Sequence, residues 1–312
     1  DSDVCFNVGI GQSAGACLCS GDNNVLIGCL AGRCQKTGED TIAIGRHAGE
    51  YGTASRCNIF LGLYAGRFAT STHSIAMGRN AGRCDSGQYN FFAVHNAGFC
   101  NTSGTHNIFI GDEAGFKTQG GGSNIFLGQA AGKCVCGSYG FDNIALGGYS
   151  MGGSYAKTGY GNIAIGSNSL RCAQTNMHNT AIGKQAGRDV TTGIENTFLG
   201  AYAGAPTYPD AAVCGGNRNV LIGYKAQVAI QGGDHQLAIG VGNTIGHWIR
   251  GNSDFNVGIG TTNPNAAVTS GNTKKLSVGI VSAYQFYGDG SNLTGAGFSP
   301  DSQENLYAGC CA

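Results

Sequence analysis

The feature that most restricts how this chain can fold is a repeat of about 17 residues. It reads Asn-apolar-x-apolar-Gly-x-x-Ala-Gly, followed by seven or eight variable residues. Its central Gly falls at Gly11, Gly28, Gly45, Gly62, Gly78, Gly111, Gly128, Gly147, Gly166, Gly183, Gly200, Gly223, Gly240 and Gly260, with Val94 as the one exception. Successive copies lie 16 to 23 residues apart, most of them 16 or 17. Helices are a poor solution for such a chain, because Gly costs roughly 1 kcal/mol per helical position relative to Ala. One short apolar strand and two Gly-marked turns per period instead describe a parallel β-solenoid or β-roll, each copy forming one coil stacked on the next. Fifteen rungs at about 4.8 Å give a stack on the order of 70 Å long.

Each column of the repeat has a physical reading. One and three positions before the Gly stand mainly Ile, Leu, Val and Phe, as in Ile42 and Ile44 or Ile125 and Leu127. Residues two apart share one face of a strand, so these two columns are expected to build the aliphatic core. The column between them, two before the Gly, then points away from that core, yet it is also apolar. It holds Phe60, Phe92, Phe109, Phe126 and Phe198 among Ala and Leu. An apolar stripe on a second face needs a cover, and too few other apolar residues remain in each repeat to form a second sheet. These five Phe are therefore expected to form an inter-chain stripe in a lateral, threefold association of copies. Four positions before the Gly is Asn in twelve of fifteen copies, which predicts a hydrogen-bonded ladder. Three positions after it is Ala in eleven copies, small enough for a crowded corner, and ten copies carry a second Gly one residue later.

Composition narrows the class further. The chain has 312 residues, 56 of them Gly, and only 12% are charged. Gly lacks a period of three and there are only 4 Pro, which excludes collagen. The 18 basic residues balance 18 acidic ones, so no electrostatic attraction to nucleic acid or to anionic membranes is expected. The organisation expected is a repeat solenoid of fifteen coils over 1–260, a non-repeat β connector over 261–304, and a partial repeat over 305–312. Extra loops are expected where the spacing lengthens, at 139–142, 154–161 and 207–217. Because Asn305-Leu-Tyr-Ala-Gly309 begins a repeat that then stops, the 312 residues are expected to be one period of a longer fibre, joined covalently or end to end.

Stretches such as Asn179-Thr-Ala-Ile-Gly-Lys-Gln-Ala-Gly187 and Asn196-Thr-Phe-Leu-Gly-Ala-Tyr-Ala-Gly204 resemble the tandem repeats of bacteriophage tail-fibre and appendage proteins. They are similar, more distantly, to the β-roll head of trimeric autotransporter adhesins. The segments Phe255-Asn-Val-Gly-Ile-Gly-Thr-Thr-Asn-Pro264 and Phe286-Tyr-Gly-Asp-Gly-Ser-Asn-Leu-Thr-Gly295 resemble phage-fibre sequence that ends such arrays. The resemblance implies an elongated, trimeric fibre, extracellular or on a virion surface. Its partners would be copies of itself, and a host surface or glycan if it serves as an adhesin.

Of 14 Cys, six share the column six after the Gly: Cys17, Cys34, Cys84, Cys100, Cys134 and Cys172. Tyr51 and Phe68 occupy the same column, which is expected to face inward. Neighbouring rungs would bring Cys17 near Cys34 and Cys84 near Cys100, at a spacing a disulfide permits. Two readings stay open: cross-rung disulfides that lock the stack, or buried thiols acting as small apolar fillers. Cys310 and Cys311 are candidates for an intermolecular bond. Cys17-x-Cys19 and Cys134-x-Cys136 lack zinc-knuckle spacing, and no nucleotide-loop or paired-carboxylate pattern recurs in the columns. Neither a catalytic site nor a metal or other cofactor is expected. The sequence reading is a structural protein, a self-assembling fibre. The alternative is a receptor- or glycan-binding adhesin. A fibre-borne glycan depolymerase comes third, for want of a carboxylate pair.

Overall fold

The computed structural model describes residues 5–53, 55–135, 140–153, 159–205, 215–228, 230, 232–242, 247–254, 257–259 and 276–278. They belong to one compact unit, Asp1–Val278. Gly260, Cys310, Cys311, the sequence 305–312 and the connector 261–304, apart from 276–278, lie outside the described residues. So do 154–158 and 207–214 of the expected loops.

The fold is an all-β parallel solenoid with coils of about 17 residues and no helix among the described residues. Fourteen short strands run from β1 (Val8–Ile10) to β14 (Leu237–Gly240), one per coil. Each pairs in parallel with the next at equivalent positions: Val25 opposite Ile42, Leu26 opposite Ala43, Ile27 opposite Ile44, and so along the array. The fifteenth copy departs from this pattern. An inserted strand β15 (His247–Gly251) pairs antiparallel with β14 and with β16 (Val257–Ile259), and β16 then pairs in parallel with β17 (Leu276–Val278).

The core is inverted relative to the sequence expectation. Phe60, Phe92, Phe109, Phe126 and Phe198 are 0% exposed and form the interior of the chain's own coil together with the Ala column three after the Gly. They are not an inter-chain stripe. The columns on either side face outward instead: Ile10 is 58% exposed, Ile44 39% and Leu199 44%. The reason is geometric. A three-residue strand turns one side chain to one face and two to the other, and a coil of this length closes tightly enough to take only the single one.

Packing inside is complementary in volume. The Phe60 ring lies between Gly49 and Gly66, and a Cβ on Gly66 would sit 2.3 Å from Phe60 Cδ1. Phe92, Phe109 and Phe126 stack successively, with ring centroids 5.4 and 4.8 Å apart. Where the inward strand residue shrinks to Ala145 and Ala164, the second turn Gly is replaced by Met151 and Leu170, both buried. A large side chain on one wall substitutes for one lost on the other, as close packing requires.

The turns use left-handed backbone more heavily than Gly alone accounts for. In the coil of Gly111, His106 (φ 58°), Glu113 (φ 58°) and Gly115 (φ 57°) are left-handed, and Gly111 itself is at φ 137°. At Gly62 (φ 130°) a Cβ would lie 2.8 Å from the Gly78 carbonyl oxygen, so stacking as well as φ demands Gly there. A third Gly column, three before the Asn, went unread in the sequence. It includes Gly104, Gly121 and Gly140, whose carbonyls accept hydrogen bonds from Asn side chains.

The Asn ladder is present and buried. Asn124 Nδ2 donates to Asn107 Oδ1 (3.0 Å) and to the Gly140 carbonyl (2.6 Å), while Asn124 Oδ1 accepts the Asn143 backbone N–H (3.0 Å). The same arrangement recurs from Asn143 to Asn162, Asn162 to Asn179, Asn179 to Asn196 and Asn196 to Asn219. Each Asn side chain thus ties its own coil to both neighbours and satisfies backbone groups that burial would otherwise leave unpaired.

Candidate functional site

With the Phe column inside, the surface that stands out is the outer face of the strands. Along β1–β14 it consists of two parallel columns. One runs Val8, Val25, Ile42, Ile59, Ile75, Phe91 and onward to Leu237, and the other runs Ile10, Ile27, Ile44, Leu61, Met77, Ala93 and onward to Ile239. No position in either column is charged. In-register pairing lines equivalent side chains up along the stack, so the face is straight and regular. Thirteen steps of about 4.8 Å by a width of about 10 Å make an apolar strip of about 600 Å². That is at the upper end of the largest patch an ordinary monomer exposes.

Two corner columns border this face. On one side, five residues before each Gly, are Asn23, Asp40, Cys57, His73, Tyr89 and His106, all exposed and left-handed. On the other side, one residue after each Gly, are Cys29, Arg46, Leu63, Arg79, His95 and Asp112, of which Arg46 and Arg79 are exposed and the other four half-buried. Some pair along their own column: His73, Tyr89 and His106 stack at 5.0 Å, and His95 Nδ1 lies 2.7 Å from Asp112 Oδ1.

Further round the coil, five and six residues after the Gly, runs a ridge of alternating cations and rings. The Arg67 guanidinium lies 5.5 Å from the Tyr51 ring and 5.0 Å from Phe68, and Arg83 lies 5.3 Å from Phe68 and 5.2 Å from Phe99. Phe99 stacks on Phe116 at 5.0 Å, and Lys133 covers Phe116 at 5.9 Å. The column six after the Gly was expected to face inward; there Phe68 is 40% exposed and Tyr51 is half-buried. Alternating cations keep stacked rings partly shielded from water.

The cysteines of that column are likewise at or near the surface. Cys17, Cys34, Cys84 and Cys100 are free thiols, and no cross-rung disulfide joins them. The structure does set Cys34 beside Cys17 and Cys84 beside Cys100. Burial pushes the Cys34 and Cys84 thiols up, and the neighbouring sulfur adds to the rise in each. In Cys34 and Cys84 this favours the neutral thiol over the reactive thiolate.

Among the described residues two carboxyls are buried, Glu50 and Asp85. Glu50 receives Arg67 Nε at 2.8 Å and His47 Nδ1 at 2.7 Å, with Arg33 at 3.6 Å. Burial alone would raise its pKa, but the bonds from Arg67 and His47 outweigh that and hold it below the usual range. Asp85 has no cation. Its Oδ1 accepts from Asn101 Nδ2 (2.7 Å), Asn90 Nδ2 (3.2 Å) and the Gly87 N–H (3.2 Å). Burial dominates there and pushes its pKa up to about 7. Asn101, which begins a glycosylation sequon, is 0% exposed and committed to Asp85 and the Gly104 carbonyl, so it is no acceptor in the folded chain.

The two buried carboxyls are two coils apart and each is engaged by its own amides or cations, so they do not form a reacting pair. Among the described residues no group of three or more His, Cys, Asp or Glu is placed to hold a metal ion. No protein-family model, curated protein or solved structure matches the chain.

Proposed function

We propose that this chain is a structural, self-assembling fibre unit whose copies associate laterally through the outer aliphatic face. The observation that carries this reading is that face: continuous over fourteen strands, uncharged, and half exposed. Covering apolar surface is the main favourable term in association, at roughly 25 cal/mol per Å², and a net charge of zero sets no barrier between copies. This reading keeps the self-association expected from the sequence and exchanges the faces: the partner-seeking columns are the Ile/Val/Leu pair, while the Phe column is buried within the chain itself. Threefold association, end-to-end joining and an extracellular or virion setting are part of this reading and follow the resemblance of the repeat to phage-fibre proteins.

The adhesin alternative draws on the loop 207–217 and on Tyr139 and Tyr160. Of these, 207–214 and Tyr139 lie outside the described residues, and Tyr160 meets the His178 ring edge-on at 5.0 Å. On the Arg–aromatic ridge the ring faces of Tyr51, Phe68, Phe99 and Phe116 are already taken by neighbouring rings and cations. The test is direct. Sedimentation of the purified chain should give an oligomer, and electron microscopy should give particles of uniform width. Replacing Ile44, Leu61, Ile110 and Leu127 by Lys should leave the β signal intact and yield monomers. A wild-type chain that sediments as a monomer at every concentration would sink the proposal.

A further inference from the structure

The two corner columns that border the aliphatic face carry information about how copies meet. Asp40 and Arg46 flank the same strand, Ile42–Ile44, one at each edge of the face. Both are exposed, and neither enters an ion pair with another described residue. The strand and the width of the face lie between them, and no ion pair joins the two within the chain. No rung of these edge columns pairs two full charges of like sign. Opposite Arg79 is His73, opposite Lys184 is His178, opposite Asp112 is His106, and opposite Glu195 is Ala201. Glu195 is already held by Arg218 at 2.6 Å.

Symmetry converts this placement into a prediction. When copies are related by rotation about an axis along the stack, the edge after the Gly in one copy meets the edge before the strand in the next, at the same height. A two-fold axis perpendicular to the stack does the opposite and sets like edge against like edge. Only the first arrangement brings Arg46 opposite Asp40. We infer that copies of this chain pack parallel and in register around an axis along the stack, with Arg46 of each copy paired to Asp40 of its neighbour. This rests on the lateral self-association proposed above and adds its polarity and register. The apolar strip together with its two edges offers about 1,200 Å² per copy by the same geometric measure, against about 800 Å² per partner in a standard stable interface. In-register packing also places each aliphatic rung on its own equivalent, so the face matches itself along its whole length.

Cysteine cross-linking reads the geometry. Cys57 is exposed on the edge before the strand Ile59–Leu61, and Leu63 stands at the other edge of the same rung. In the inferred packing the thiol introduced by Leu63→Cys faces Cys57 of the neighbouring copy. Mild oxidation of a mixture of light and heavy isotope-labelled chains should give a mixed-label peptide, detected by mass spectrometry, that joins Cys57 to the introduced thiol. Arg79→Cys, one rung further on, should not link to Cys57. A product joining the introduced thiols of two copies, from an intact oligomer of the Leu63→Cys variant, would mean that like edges meet. It would overturn the inference while leaving lateral association standing. A chain that never leaves the monomer would instead remove the association itself. Charge exchange gives a second readout. Asp40→Arg and Arg46→Asp should each weaken assembly by roughly tenfold through like-charge contact, and the double exchange should restore it. If the double variant assembles no better than the single ones, the pairing is wrong.

Discussion

Replacing Asp85 by Asn should stabilise the chain at alkaline pH and have little effect in acid. Asp85 is buried, receives three N–H donors on one oxygen, has no cation beside it, and has a pKa pushed up to about 7. In the unfolded chain the same carboxyl titrates near 3.9. The fold therefore binds a proton between about pH 4 and pH 7 that the unfolded chain has released. Stability falls as pH rises through that window and levels off above it. A difference of about 3 pK units at 1.36 kcal/mol each makes the cost of ionising Asp85 about 4 kcal/mol above pH 7, taken as an upper bound. Asn removes the titration while keeping the shape. Its amide can also donate to the neighbouring Ser71 hydroxyl oxygen, which is buried. Urea unfolding of both proteins, followed by circular dichroism between pH 4 and pH 8.5, isolates the effect as a difference curve. The Asn variant should match the wild type near pH 4 and exceed it by up to about 4 kcal/mol at pH 8. A difference that is flat with pH, or a wild type that gains on the variant as pH rises, would show that Asp85 is a stabilised anion and refute the reasoning.

Other substitutions test other parts of the coil. Phe126→Ala should cost about 3–5 kcal/mol in a chemical melt, because Phe126 is fully enclosed and stacked on Phe109; a solvent-facing stripe would lose under 1 kcal/mol. Gly62→Ala combines an unfavourable φ with a Cβ 2.8 Å from the Gly78 carbonyl, and should lower the melting temperature far more than Gly148→Ala, where a Cβ meets nothing within 4 Å. Asn124→Ala leaves the Asn143 N–H and the Gly140 carbonyl without their partners and should cost about 3 kcal/mol or more, with faster amide exchange in both flanking coils. Thiol titration of freshly purified native chain under non-reducing conditions, with the labelled sites mapped by mass spectrometry, should find Cys17, Cys34, Cys84 and Cys100 free. A shortfall at these four positions would restore the cross-rung bonds.

Several levels of this structure could be read directly from the repeat. A spacing of 16 to 17 with Asn four before the Gly leaves few alternatives to stacked coils, because each Asn side chain can serve one coil above and one below. The same spacing implies in-register pairing, since any slip would break both the Asn ladder and the Gly corners. The break after the fourteenth strand was not legible: fifteen coils were expected through residue 260, and the gap of 20 residues between Gly240 and Gly260 is shorter than the 23 between Gly200 and Gly223, across which the strands stay parallel. The third Gly column stands seven before the central position and could have been found by extending the same alignment into the residues that precede each Asn. Gly87, Gly104 and Gly121 then fall together.

Which face of the strand points inward could not be read, because Ile125, Phe126 and Leu127 are all apolar and alternation gives no contrast. The decision belongs to the closed coil. Its interior accommodates one large side chain per rung, so the central Phe goes in and the two aliphatic neighbours go out. Left-handed corners at residues such as His106 and Glu113 follow from the same closure and not from any local preference. The period and register of this protein were thus written in its repeat, while the inside, and with it the surface a partner would cover, was chosen by the room available once the coil had closed.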